Sequence, residues 1–261
     1  MTESPELAAV LPWLPDRRRS GPQARASDGP AGAGAEAVRL VLAGEAPDEE
    51  VLRQLAATLG LHAVDLFVLA GLDVPDDMAP TDQAAAPFAP RIVMNAAHLP
   101  PADRRELLHL VRSLPREEPR SPFAPWEFAH IGDGPGGRLI RMFCHRNLRW
   151  SGLARVMAVL TPTYLSPSTY GVIGAGRKEL TPRLVTDFAA LLGIDAGELA
   201  VLTGVTLPEP PPRPAPEALD AAGLLWELRY LSEAQAEHVA ALAESLRGDS
   251  CREYRLNLPA W

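Results

Sequence analysis

The chain has 261 residues, 47% of them apolar, and a formal net charge of −8. This length and composition predict enough buried surface for two modest cores or one large one. No stretch approaches the roughly 18–20 uninterrupted apolar residues that span a bilayer, and Met1–Val10 lacks the basic flank of a secretory signal. The two cysteines are distant and lack metal-type spacing, which favours a reducing cytoplasm, and no motif indicates a metal or nucleotide cofactor.

The N-terminal half predicts helices after a loop of small residues. Residues 20–36 are rich in Gly, Ala and Pro and predict a mobile loop, and residues 36–44 predict a short helix. Apolar residues at helical spacing after Asp48 predict a helix that Gly60 ends. Three further helices are expected, over residues 63–70, 91–97 and 102–114.

Residues 52–75 return 133 positions later as residues 185–208. Leu55-Ala56-Ala57 returns as Phe188-Ala189-Ala190, and Leu59-Gly60-Leu61 as Leu192-Gly193-Ile194. A second match, at an offset of 132, relates residues 99–114 to residues 231–246. These matches predict an all-α protein of two tandem helical repeats.

The expected domain boundaries follow the proline pattern. Residues 1–118 would form the first repeat and residues 119–137 a proline- and glycine-rich linker, and residues 138–261 would form the second repeat, with a C-terminal amphipathic helix and tail. The glycine-dense turn at residues 132–137 lacks the sequence of a phosphate-binding loop. A second proline-rich run, at residues 207–216, is typical of a stiff connector.

Basic residues are concentrated in one window of the second repeat. Residues 138–183 contain eight basic residues and one acid, a charge of +7, so the remainder of the chain carries −15. Such an island in an acidic protein is the pattern expected of a site for a polyanion, although a solvated basic face is the alternative. The same window predicts a helix over about residues 137–145, one capped near Ser151, and one over residues 167–174 with Ser166 as N-cap.

These residues resemble the lambda-repressor-like, xenobiotic-response-element type of helix-turn-helix transcription regulators. The matching pieces are Leu153-Ala154, Leu165 to Ile173, Gly176-Arg177-Lys178 with Pro182, and Ala189 to Ile194. The resemblance covers about residues 138–205 and implies that the third helix enters the major groove of duplex DNA. The segment from Leu153-Ala154 to Gly176 is longer than in the compact family pattern.

The resemblance assigns roles by position. Ser168, Thr169 and Tyr170 become candidates for reading bases, with Ser166 able to contact bases or phosphate. The candidates for holding the DNA backbone are Arg149, Trp150, Ser151, Ser166, Arg177 and Lys178. The first repeat resembles the family only in its second half, so we expect it to have lost DNA binding and to keep a structural role; binding of a small molecule or a partner protein is the alternative for it.

Three functions remain open from the sequence. The first is a sequence-specific DNA-binding transcription regulator without catalytic residues. A small-molecule effector and a homodimer partner are both compatible with this function. The second is a repurposed helix-turn-helix fold that binds or transforms a small molecule in a biosynthetic pathway, using a pocket between the repeats. A pocket lined by Trp150, Tyr164 or Tyr170 would favour this function. The third is a protein-binding adaptor of helical repeats. The adjacent pair Cys144-His145 does not favour catalysis, because neighbouring helical residues do not face each other.

Overall fold

The computed structural model describes residues 47–124, 130–208 and 213–256, with side chains as far as residue 248. These residues form eleven α-helices and two short 3-10 helices and include no strand, which confirms the all-α prediction. The loop and helix predicted before residue 47, and the C-terminal tail after residue 256, lie outside the described residues. The helices are α1 (Glu49–Leu59), α2 (Ala63–Ala70), α3 (Phe88–Ala96), α4 (Pro101–Ser113), α5 (Pro135–Cys144), α6 (Trp150–Leu160), α7 (Pro167–Gly174), α8 (Pro182–Leu192), α9 (Ala196–Thr203), α10 (Pro216–Leu228) and α11 (Glu233–Leu256).

The two matched sequence segments form helices of equal length. Helices α1 and α8 each have 11 residues and α2 and α9 each have eight, and both pairs start 133 positions apart. All four end at a glycine in the left-handed conformation, where other residues are strained. At the N-terminus of α1 the Asp48 side chain accepts a hydrogen bond from the backbone N–H of Val51 at 2.9 Å, as the capping pattern predicts.

Several helix ends differ from the sequence prediction by a few residues. Helix α3 begins at Phe88 rather than near Arg91, because a proline is tolerated in a first helical turn. Helix α5 begins at Pro135, so the end of the glycine-dense turn is its first turn. Helix α6 has Arg149 as its N-cap, close to the start predicted near Ser151, and no side chain caps it.

The C-terminal helix pairs of the two halves pack on each other. Helix α3 packs against α11, α10 packs against α4, and α3 also contacts α10. Helix α5 contacts α2 of the first half as well as α8 and α9 of the second half. The buried apolar side chains consequently form one continuous cluster that includes residues of both halves.

A buried ion pair joins the halves beside this core. Arg146 follows α5 and Asp65 lies on α2, and neither side chain is exposed. The guanidinium donates to both carboxylate oxygens at 2.7 Å, and also to the carbonyls of Met142 and Leu192. Bidentate pairing of this kind satisfies charges that would otherwise be costly to bury.

An aromatic cluster lies next to the ion pair. The rings of His62 and Trp226 are stacked with centroids 3.4 Å apart, and the buried Arg229 guanidinium lies 3.9 Å from the Trp226 ring centroid. Burial lowers the pKa of His62 to about 4 and that of His145 to about 3. Both imidazoles are therefore neutral at pH 7 and add no positive charge beside the two buried arginines.

Asp82 holds together three separate segments of the chain. Its buried carboxylate accepts backbone N–H bonds from Ala84, Arg120, Ser121 and Glu233, at distances of 2.9–3.1 Å. Burial alone would raise the pKa of Asp82, but these four backbone hydrogen bonds hold the pKa below its ordinary value. The carboxylate thus ties residues 120–121 and the start of α11 to the 3-10 helix Gln83–Ala85.

We expect Asp82→Asn to lower the free energy of unfolding at pH 7 by about 1.5–3 kcal/mol, because an amide group would face N–H donors. The folded-state pKa is depressed, so the carboxylate's contribution is present above the unfolded value of about 3.9 and is lost as pH falls through the folded pKa. Urea unfolding at a series of pH values measures this. The difference in the free energy of unfolding between wild type and variant should be constant from pH 7 to about 5 and should shrink below about pH 4. A difference that stays unchanged down to about pH 3 would contradict this role of Asp82.

Within the described ranges, no helix is long and apolar enough to cross a membrane.

Candidate nucleic-acid interface

Helix α7 is fixed at both ends by its own sequence. At its start the Ser166 hydroxyl accepts the backbone N–H of Thr169 at 3.3 Å, and Pro167 occupies the first turn, as predicted. At its end Gly176 has φ +69°, and the N–H of Arg177 donates to the carbonyl of Val172 at 3.0 Å. This is a Schellman motif, which sets the direction in which Arg177 and Lys178 leave the helix.

The exposed face of α7 consists of small, uncharged side chains. Ser166, Pro167 and Ser168 are exposed, and Thr169, Gly171 and Val172 are partly exposed. Ser168 and Thr169 are therefore accessible to a ligand, as their predicted role requires. Their hydroxyls each lie within 2.9 Å of the Ser166 hydroxyl, so the three form one polar group at the start of the helix.

Tyr170 cannot read bases, because its side chain is completely buried. The ring packs beside Phe188 of α8, with centroids 6.2 Å apart. Burial raises the pKa of the Tyr170 phenol far above its ordinary value, so the hydroxyl remains protonated. The base-reading role assigned to Tyr170 is thus wrong: the residue belongs to the core that supports α7.

Trp150 at the start of α6 packs against α7. A Cβ atom at Gly171 would lie 3.2 Å from the indole ring, which is closer than an ordinary van der Waals contact. The half-buried ring therefore sets the distance between α6 and α7 rather than standing free to hold a phosphate. Its neighbours Arg149 and Ser151 are exposed, as their predicted contacts with the DNA backbone require.

The basic island separates into internal and surface residues. Arg146 is buried against Asp65, and Arg141 donates to Asp133 at 2.9 Å and to the carbonyl of Ile131, so neither is available to an external anion. Four other cations of the island are exposed and form no ion pair with a carboxylate of the described residues: Arg155, Arg177, Lys178 and Arg183. Arg149 is exposed beside them.

Ten arginines outside the island have described side chains, and five of them form ion pairs with carboxylates: Arg53 with Glu49 and Asp77, Arg91 with Glu244, Arg104 with Glu217 and Asp220, Arg112 with Glu227, and Arg120 with Glu233. The other five form no such pair within the described residues: Arg105, Arg116, Arg213, Arg229 and Arg247. The name α7 face is used here for eight exposed or partly exposed residues on or beside α6, α7 and the start of α8: Arg149, Arg155, Ser166, Ser168, Thr169, Arg177, Lys178 and Arg183.

The long segment between α6 and α7 has a defined structure. The Thr161 hydroxyl donates to the carbonyl of Met157 and accepts the N–H of Thr163, whose hydroxyl donates to Asp187 on α8. Tyr164, which follows these two anchors, is 86% exposed. The additional residues therefore form a loop tied to the second half's core, with an aromatic ring in solvent next to α7.

The three aromatic residues whose common pocket would favour the small-molecule alternative lie in different surroundings. Trp150 packs on α7, Tyr170 is buried and Tyr164 is in solvent, so the three do not line a common cavity. Two pockets in the described part of the chain each have room for about one water molecule. Among the same residues no group of three His, Cys, Asp or Glu side chains could hold a metal ion.

Comparison with protein-family models, with characterised proteins and with solved structures gives no match to this chain. The assignment of a function therefore depends on the α7 face itself and on the resemblance of its sequence.

Proposed function

We propose that this protein is a transcription regulator that binds duplex DNA through the α7 face. The observation that carries the proposal is the charge of +7 over residues 138–183, in a chain whose net charge is −8. Four cations of this island are exposed and have no carboxylate partner among the described residues. Cations that have no internal partner are available to neutralise phosphates, and release of counterions from DNA supplies most of the salt-dependent affinity.

The α7 face offers two kinds of contact to a duplex. Arg155 lies on α6, which precedes α7, and Arg177, Lys178 and Arg183 follow α7, so the chain supplies cations for phosphates before and after the helix proposed to enter the groove. Ser168 and Thr169 at the start of α7 supply hydroxyls that can bond to base edges. No arginine, asparagine or glutamine lies on α7, so we expect direct base discrimination to be modest and the electrostatic part of the affinity to dominate.

We expect the double variant Arg177→Ala/Lys178→Ala to weaken binding to all duplexes and to reduce the slope of log affinity against log salt by about 2, since each phosphate contact contributes about 0.9. Fluorescence anisotropy in a salt series measures this, on a random duplex and on the DNA upstream of the protein's own gene. The matched control is Arg105→Ala/Arg213→Ala, which removes two exposed charges away from the α7 face.

The control should keep the wild-type slope. Equal losses in the two variants would show that only net charge matters and would contradict the α7 face as the binding surface. A folded wild-type protein that binds no duplex at about 50 mM salt would overturn the proposed function itself.

Ser168→Ala separates base reading from phosphate binding. We expect the variant to lose about 1 kcal/mol or less of the preference for its best site over random DNA, because one hydroxyl contact is removed. The salt slope should be unchanged, since no charge is altered. Competition between the two DNAs measures the preference, and an equal loss of affinity for both would mean that Ser168 contacts phosphate instead.

A further inference from the structure

The two halves pack as the subunits of a two-fold dimer would. By the offset of 132, helices α3 and α4 of the first half are equivalent to α10 and α11 of the second half. Helix α3 packs on α11, and α4 packs on α10. Ion pairs join the same elements: Arg91 of α3 with Glu244 of α11, and Arg112 of α4 with Glu227 of α10. Reciprocal contacts between equivalent elements are the mark of an isologous interface, which here lies within one chain.

The three cations that follow α7 are not repeated at the equivalent sequence positions of the first half. At the offset of 133, Arg177, Lys178 and Arg183 correspond in the sequence to Gly44, Glu45 and Glu50. Helix α1 accordingly has Glu49 and Glu50 in its first turn, where α8 has Pro182 and Arg183. Carboxylates repel DNA phosphates. At these positions the first half therefore cannot hold the DNA backbone as the second half is proposed to do.

We infer that one chain is a covalent pseudo-dimer with a single DNA-binding face, and that it binds one asymmetric half-site of duplex DNA as a monomer. This inference rests on the proposed function. Ordinary helix-turn-helix dimers join two reading helices and therefore bind inverted half-sites about one helical turn apart. In this chain the surface that would bring in a second subunit is already occupied by its own first half.

The test begins with selection of bound sequences from a random duplex pool at about 50 mM salt, using the full chain. Two duplexes are then compared, one with a single copy of the selected sequence and one with two inverted copies whose centres are about 10 base pairs apart. Sedimentation of the free protein and of each complex gives the stoichiometry, and anisotropy titration gives the affinity per copy.

We expect a free species of 28.1 kDa, one chain per copy, and equal affinity for each copy with a Hill coefficient near 1. An enriched inverted repeat that takes up two chains cooperatively, with the second bound tenfold or more tightly, would overturn the inference but leave DNA binding intact. A folded protein that enriches no duplex would instead overturn the proposed function, and this inference with it, so the two failures are distinguishable.

Discussion

Asp65→Asn is expected to lower the free energy of unfolding by about 3–5 kcal/mol, because it leaves the buried Arg146 guanidinium without a counter-charge. The cost is raised by the surroundings: burial lowers the pKa of the neighbouring Arg229, and Asp65, after Tyr230, is one of the two groups that favour its charged form. Neither His62 nor His145 can relieve this excess of positive charge, since both imidazoles are already neutral at pH 7.

Urea unfolding at pH 7 provides the measurement, and two variants provide the controls. Glu244→Gln breaks the exposed pair with Arg91 and should cost less than about 1 kcal/mol, because solvent screens both charges. The double variant Asp65→Leu/Arg146→Met removes both buried charges and should recover most of the loss. If Asp65→Asn costs no more than Glu244→Gln, the pair does not contribute to stability as its burial implies.

The pair of Arg146 with Asp65 also helps to position the α7 face. Arg146 lies between α5 and α6 and donates to the carbonyl of Leu192 at the end of α8, so it ties the segment that leads into the α7 face to helices of both halves. We expect loss of the pair to loosen the attachment of α6 and α7 to the core before the whole chain unfolds. The α7 face is thus positioned by residues that never contact DNA.

Local signals allowed the helices to be predicted from the sequence. Ser166-Pro167 correctly located the start of α7, and Asp48 and Gly60 correctly located the ends of α1, because caps depend on residues within a few positions. Ser168 and Lys178 lie near the two ends of α7, and both are exposed. Tyr170 was misassigned because, in an eight-residue helix, its position next to two accessible residues does not reveal which face the core covers.

Long-range pairing could not be predicted in the same way. Arg146 was counted with the basic island, since its partner Asp65 is 81 positions away and no local pattern links them. The sequence repeat predicts which helices are equivalent, but it does not predict that α3 packs on α11. An apolar helix face indicates that the face is buried and does not indicate which helix covers it. The charge of residues 138–183 can be counted from the sequence. How much of that charge lies on the surface depends on distant pairs such as Arg146 with Asp65.

Gly137→Ala is the second substitution for which a large effect is expected, of at least about 2 kcal/mol, because the added methyl would overlap the carbonyl oxygen of Gly132. The same methyl would lie 2.9 Å from the carbonyl oxygen of Gly174, the last residue of α7. Both neighbours are backbone oxygens, and their two residues are joined by the hydrogen bond from the N–H of Gly132 to the carbonyl of Gly174 at 2.8 Å. Rotation of a side chain therefore cannot relieve the contact.

The matched control is Gly223→Ala, a second helical glycine, in α10. A Cβ atom there would meet only Leu108 at 3.9 Å, so alanine should stabilise the protein by about 0.5–1 kcal/mol through its higher helix propensity. Opposite signs for the two variants in urea unfolding would show that the glycine-dense turn exists for the close approach of α5 to α7. Because the displaced end of α7 carries Arg177 and Lys178, Gly137→Ala should also weaken DNA binding, whereas Gly223→Ala should not. If Gly137→Ala is as stable as wild type, α5 and α7 are not in this close contact in solution, and the α7 face lacks the rigid support inferred for it.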